Sequence, residues 1–107
     1  MTTNLYDLPD SLPEAEAFTD LIPDRGVKIE RIVSHGQATP AGEWYDQDRD
    51  EWVVLIQGEA VLAYEAGDKL RLNAGDHVLI PAHQRHRVEH TSRTPPCIWI
   101  AVFGKLT

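Results

Sequence analysis

The chain is poor in basic residues and cysteine, and it has no long apolar segment. Its 10 Lys and Arg stand against 17 Asp and Glu, a formal charge of −7. Nucleic acids and anionic membranes attract clustered positive charge, so we expect neither as a partner. One cysteine excludes an internal disulfide and suits a reducing compartment. No apolar run approaches the roughly 20 residues of a membrane span. The first ten residues lack the basic and apolar regions of a signal peptide, so a cytoplasmic protein is predicted.

A length of 107 residues fits one domain. We expect residues 1–26 to form an extended arm and a short helix, followed by a barrel over residues 27–107. Ser11 can cap that helix and Glu14 can return the capping bond three residues later. The helix is predicted over residues 12–21, ended by Pro23.

From Val27 onward the apolar residues recur with a period of two, which is typical of β-strands. Short strands are joined by turns rich in Gly, Asn, Asp and Pro, and no helical pattern separates them. Such spacing predicts an all-β fold, an antiparallel sandwich or barrel.

Two predicted strands, EWVVLIQ at 51–57 and CIWIAVF at 97–103, are apolar on both faces. If Glu51, Val53 and Leu55 point inward, the alternate side chains point outward and need cover. A second copy of the chain would supply it, which predicts a homodimer packed through the outer sheet. The alternative is a monomer in which the N-terminal arm and helix provide all the cover.

Two segments carry the candidate chemistry, EWVVLIQG and GDHVLIPAHQRH. The carboxylate of Glu51 and the imidazole of His86 lie on separate predicted strands that can converge inside a small barrel. Together they can anchor a divalent metal ion, which neither could hold alone.

These two segments resemble the paired motifs of the cupin superfamily over residues 27–103. The matching positions are Glu51 and Gly58 in the first motif, and Gly75, Pro81 and His86 in the second. Four positions depart from the pattern: Tyr45 and Gln47 replace the two histidines of the first motif, while His83 and His90 replace a glycine and an asparagine of the second. The resemblance implies the cupin double-stranded β-helix, a jelly-roll barrel.

The ligand set of the expected metal has alternatives. Glu51 and His86 would hold iron, manganese, nickel or zinc, completed by His83 or Gln47. His90 is unsuitable because four residues of extended chain place it about 13 Å from His86, whereas the bend at Pro81 is expected to fold His83 back toward the pocket. In the other interpretation the pocket is metal-free, and Glu51 forms hydrogen bonds with the neighbouring polar side chains, Tyr45, Gln47 and His86.

The sequence predicts the function less specifically than the fold, because this fold hosts many chemistries. The first hypothesis is a metal-dependent oxidoreductase or isomerase that acts on a small polar metabolite in the barrel. Tyr45 or His83 would then move a proton. The alternative is a non-catalytic module that binds a small molecule in a metal-free pocket.

Overall fold

The computed structural model describes residues 2–107, which form two antiparallel β-sheets. The strands are β1 (Ala17–Asp20), β2 (Lys28–Ser34), β3 (Asp50–Gln57), β4 (Glu59–Tyr64), β5 (Lys69–Asn73), β6 (His77–Ile80), β7 (His86–Thr91) and β8 (Cys97–Gly104). The larger sheet has the order β1-β2-β8-β3-β6 and the smaller sheet has the order β5-β4-β7. The predicted all-β jelly roll is confirmed. Nowhere in residues 2–107 is there a helix of the length and apolar character that crossing a membrane requires.

Strands β3 and β8 pair along the middle of the larger sheet and set its inward face. The alternation predicted for β3 is confirmed: Glu51, Val53 and Leu55 are buried, and Trp52 and Val54 are only partly covered. Their inward partners on β8 are Phe103, Ala101 and Trp99, respectively. This register places the carboxylate of Glu51 at the same end of the sheet as the ring of Phe103.

The core lies between the two sheets. Leu55 and Ile80 of the larger sheet pack in one cluster with Leu62 and Leu72 of the smaller sheet. Full burial of one such side chain contributes about 1.5–3 kcal/mol to folding. The hydrophobic cluster therefore holds the two sheets together and supports one side of the barrel interior.

The turn between β3 and β4 depends on Gly58. Its φ of 93° lies in the region that L side chains rarely adopt. A Cβ built on Gly58 would come within 2.8 Å of Ser92 Oγ and 2.9 Å of Cys97 Sγ. Both the turn conformation and the close approach of β8 thus require glycine here.

The predicted helix over residues 12–21 is wrong, because the described chain contains no helix. Residues 17–20 instead form β1, which pairs antiparallel with β2 from Ala17 opposite Val33 to Asp20 opposite Glu30. A helix of about ten residues is marginal by itself in water, while the edge of β2 offers unpaired backbone groups. Strand pairing satisfies those groups, which explains why it prevails over the capping pattern.

The N-terminal arm covers part of the outer face of the larger sheet. The Arg31 guanidinium donates hydrogen bonds to the carbonyl oxygens of Leu5 and Asp7, at 3.2 and 2.9 Å. Beyond the arm, Leu79 remains 41% exposed on this face. The homodimer that would cover the remainder stays a prediction.

Candidate functional site

A cavity of about 370 Å³ opens into the barrel between the two sheets. Its wall combines apolar side chains such as Val53, Leu62 and Trp99 with a set of ionisable groups. Volumes of about 300–1,000 Å³ are usual for small-molecule sites. Both Glu51 and His86 line this cavity.

Glu51 and His86 face each other inside the cavity. Glu51 Oε1 lies 3.6 Å from His86 Nε2, and the two side chains are 8% and 6% exposed. Strand β3 supplies the carboxylate from its inward face, and the first residue of β7 supplies the imidazole from the opposite sheet. The convergence that the sequence analysis expected is therefore present in the structure.

The protonation of His86 follows from its two neighbours. Nδ1 lies 2.9 Å from the carbonyl oxygen of Gln84, which can only accept, so Nδ1 carries a proton. The carboxylate of Glu51 can also only accept. A hydrogen bond between Nε2 and this carboxylate therefore requires a second proton on the imidazole ring of His86. Burial lowers the pKa of His86, but the interactions with Glu51 and Gln84 outweigh it and raise that pKa above its ordinary value of 6.5.

Tyr45 covers His86 at the mouth of the cavity. The backbone N–H of Tyr45 donates to the carbonyl oxygen of His86 at 2.7 Å, and the reciprocal bond is 3.2 Å long. The two rings are 5.7 Å apart between centroids, and Tyr45 is 40% exposed. Burial, followed by the negative charge of Glu16, raises the pKa of the Tyr45 phenol. The phenol is therefore neutral near pH 7, with its O–H available as a donor.

Gln47 lies in the cavity wall, whereas the side chain of His83 lies outside the cavity. Gln47 lines the cavity, and its carbonyl oxygen accepts the backbone N–H of His83 at 2.7 Å. The His83 side chain instead lies outside: it is 69% exposed, and its Nδ1 is 2.8 Å from Asp46 Oδ1.

The expected return of His83 toward the pocket does not occur. The backbone N–H of Ala82 donates to Asp50 at 2.8 Å, which holds the chain just before it. His83 then adopts a φ of 66°. Its ring therefore turns toward Asp46 on the surface, and we leave His83 out of the site proposed below.

Two cavity residues were missed by the sequence analysis, Lys28 and Glu30 of β2. In the sequence, the alternation of apolar and charged residues in VKIERIV is typical of a half-buried strand. In the structure Lys28 pairs with Phe103 and Glu30 pairs with Ala101, so both share the inward face of β8. Glu30 is 6% exposed at its side chain and lies 3.4 Å from Lys28 Nζ. Burial raises the pKa of Glu30, and the ammonium of Lys28 opposes that rise.

Comparison with known families decides the classification. Residues 31–103 match the model of the Cupin_2 family, described as a cupin domain. The chain belongs to the Cupin_2 family. No curated protein matches the chain.

Among solved structures, this cupin is similar to the "putative mannose-6-phosphate isomerase" of Ralstonia eutropha JMP134. The identity is 41%, the TM-score is 0.89, and 98% of each chain is covered. It is also similar to a cupin superfamily protein of Desulfitobacterium hafniense DCB-2, at 17% identity and a TM-score of 0.75 over 91% of this chain and 84% of that one. The second likeness, at that identity, shows the fold alone.

The donor set of this cupin does not fit a resident metal ion well. Catalytic zinc sites commonly have three strong protein ligands. Across residues 2–107 no group of three or more His, Cys, Asp or Glu side chains is placed to hold a metal. Glu51 and His86 supply two donors, and the amide of Gln47 is a weak neutral third.

Proposed function

We propose that this cupin binds a small organic metabolite in the barrel cavity and moves a proton on it with the Glu51–His86 pair, as an isomerase does. The observation that carries the proposal is the 3.6 Å approach of two nearly buried, opposite acid–base groups within the cavity. A titratable group in a cleft with a shifted pKa, as His86 has here, is typical of catalytic sites. The 41% identity with a protein named as an isomerase supports the same class of reaction.

The chemistry needs one base and one acid. The Glu51 carboxylate takes a proton from a carbon next to a carbonyl group, and the C–H electron pair becomes the C=C bond of an enediol. The carbonyl oxygen receives its proton from His86 Nε2. Glu51 then returns its proton to the former carbonyl carbon, while the hydroxyl group on the first carbon gives its proton to His86 Nε2 and becomes the new carbonyl. Both side chains are thereby restored, and the isomerisation has no net change in oxidation state. Tyr45, as a neutral donor at the mouth, orients the carbonyl oxygen toward His86.

Proton exchange in heavy water tests the proposal. A panel of hydroxyaldehydes and hydroxyketones, including hexoses, amino-hexoses and hexose phosphates, is incubated with the protein in D2O, and loss of the carbon-bound proton is followed by NMR. We expect exchange with at least one compound, and a fall of about 10²–10⁴-fold for Glu51→Gln. Glu59→Gln is the matched control, because Glu59 is exposed outside the cavity.

The outcomes separate catalysis from binding. If a panel compound stabilises the protein but shows no exchange, the non-catalytic binding module is the correct function. Exchange that is equally fast in Glu51→Gln would refute the assigned role of this carboxylate.

The metal-dependent version of this function is the first hypothesis from the sequence. Glu51 and His86, with Gln47, would hold the ion, but the weakness of the third donor favours the metal-free version. Metal analysis of protein purified without chelator, repeated on Glu51→Gln and His86→Ala, distinguishes them. A stoichiometric metal that both substitutions remove would restore the metal-dependent function.

A further inference from the structure

Two carboxylates in the cavity have hydrogen-bonding capacity that no protein group fills. Among the described residues, Glu51 has no side-chain hydrogen-bond partner within 3.5 Å, and the one cationic group within 4 Å of its carboxylate is His86 Nε2, at 3.6 Å. Glu30 has a single partner, Lys28 Nζ at 3.4 Å. Each side chain is more than nine-tenths buried, and both line the cavity. Both carboxylates line the cavity, so a ligand that occupies it can bring hydrogen-bond donors to them.

The lining of the cavity carries more negative than positive charge. Four carboxylates line it against the cationic side chains of Lys28 and Arg49 and the imidazole of His86. The positive charge of Arg49 is compensated from outside the lining, because Arg49 Nη1 lies 3.1 Å from Asp24 Oδ2. The cavity therefore attracts positive charge and disfavours an anion.

Aromatic rings form much of the remaining wall, namely Phe18, Tyr45, Trp99 and Phe103. Aromatic faces attract organic cations when the charge lies within about 6 Å of the ring centroid. Carboxylates combined with aromatic rings are thus complementary to an ammonium group that carries apolar substituents.

The chain supplies an example of this complementarity in Lys28. Its Nζ lies 3.4 Å from Glu30 Oε2 and 5.7 Å from the centroid of Phe103. This is an alkylammonium seated between a buried carboxylate and an aromatic face. The Lys28 side chain is 33% exposed, so it can withdraw toward the opening on a flexible four-carbon stem.

We propose that the cavity selects a small organic cation, and that the ammonium group of the ligand takes the place of Lys28 Nζ between Glu30 and Phe103. The proposal rests on the proposed function only in requiring that this cavity is the ligand site. Placed there, the cation leaves the rest of the ligand facing Glu51 and His86.

A phosphorylated sugar is the ligand class that this arrangement excludes. Phosphate is an acceptor and an anion, so it would meet Glu30 and Glu51 with repulsion, and Lys28 is engaged with Glu30. The name of the Ralstonia eutropha protein refers to a phosphosugar. This cupin is therefore inferred to differ from that named substrate in the charge of its ligand.

Binding of n-butylammonium chloride, measured by calorimetry on the whole protein, tests the inference. The comparison ligands are 1-butanol, sorbitol and mannose 6-phosphate, all at equal ionic strength. Two substitutions are expected to act in opposite directions. Lys28→Met removes the competing ammonium and should tighten n-butylammonium about tenfold, whereas Glu30→Gln removes the counter-charge and should weaken it about tenfold.

Lys69→Met is the matched control, because it removes a strand lysine from an ion pair with Glu89 outside the cavity. Its affinity for n-butylammonium should equal that of the wild type. Should Lys28→Met fail to fold, Lys28→Gln retains the test with a polar side chain of similar length.

Each result bears on the inference in one direction. Saturable n-butylammonium binding that tightens in Lys28→Met and weakens in Glu30→Gln supports it. Tighter binding of sorbitol or mannose 6-phosphate than of n-butylammonium overturns it, as does an n-butylammonium affinity that Lys28→Met leaves unchanged.

The proton-exchange experiment is separate, because it measures the Glu51–His86 chemistry on neutral and charged compounds alike. A cation-binding cavity without exchange refutes the proposed function alone, and exchange on a phosphosugar refutes the cation inference alone.

Discussion

A double-mutant cycle on Glu51 and His86 tests whether the two groups act as an ion pair. At 3.6 Å and an effective dielectric constant of about 20, two unit charges attract by about 4–5 kcal/mol. The loss of hydration on burial offsets most of this attraction. We therefore expect a coupling of about 1–2 kcal/mol between Glu51→Gln and His86→Asn in the free energy of unfolding.

The coupling should depend on pH in a defined direction. The pKa of His86 is raised above its ordinary value of 6.5 in the folded protein. A group with a raised folded pKa contributes its full stability below the unfolded value and loses it as the pH rises through the folded value. The coupling should thus be present at pH 5.5, below the unfolded value, and smaller at pH 9, because it is lost as the pH rises through the folded pKa of His86.

Urea unfolding of the wild type, both single variants and the double variant measures the cycle at the two pH values. Far-ultraviolet circular dichroism of each variant before urea is added controls for a changed fold. A coupling within about 0.3 kcal/mol of zero at pH 5.5 would refute the ion pair, since independent sites are additive to that degree. An equal coupling at pH 5.5 and pH 9 would show that the contact does not depend on the imidazolium.

Three further perturbations test the scaffold around the site. Gly58→Ala introduces a Cβ within 2.8 Å of Ser92 Oγ at a φ of 93°. It should lower the free energy of unfolding in urea by about 1–3 kcal/mol. An unchanged midpoint would contradict the requirement for glycine in this turn. Hydrogen bonds from the N–H of Ala82, and then from the C-terminal residues, lower the pKa of Asp50. Asp50→Asn should therefore lower the melting temperature at pH 7 by more than at a pH below 3.8. An equal effect at both pH values would contradict the stabilising role of the ionised Asp50 carboxylate. The predicted homodimer should sediment as one at micromolar concentration, and Leu79→Lys, which charges the exposed outer face, should give monomers; a wild-type monomer would end this prediction.

The position of Glu51 could be predicted because it depends on local pattern. Strict alternation in β3 places Glu51 on the same face as Val53 and Leu55, and the burial of those apolar neighbours sets the direction of the carboxylate. The convergence with His86 follows from the closure of the two sheets, which the turn residues and the short strands indicated.

Other features were beyond the sequence because they depend on long-range pairing. Glu30 faces inward only because β2 pairs with β8 in the register that places it opposite Ala101. Its strand has apolar residues on both faces, Ile29 and Ile32 among them, so the alternation alone does not identify the buried side. Strand β1 also depends on long-range pairing, because it forms along the free edge of β2. The capping motif near Ser11 carries no information about that edge.

The departures of Tyr45 and Gln47 from the cupin motif change the site more than the fold. The fold depends on turns such as Gly58 and on the alternation of β3, and neither involves positions 45 or 47. At the site, a phenol and an amide replace two imidazoles, which would have been strong metal donors. Within residues 2–107, the cationic groups within 4 Å of Glu51 and Glu30 are then His86 and Lys28, respectively. We infer that the cavity keeps its excess of negative charge without those two donors, and that an organic cation can compensate this charge in place of a metal ion.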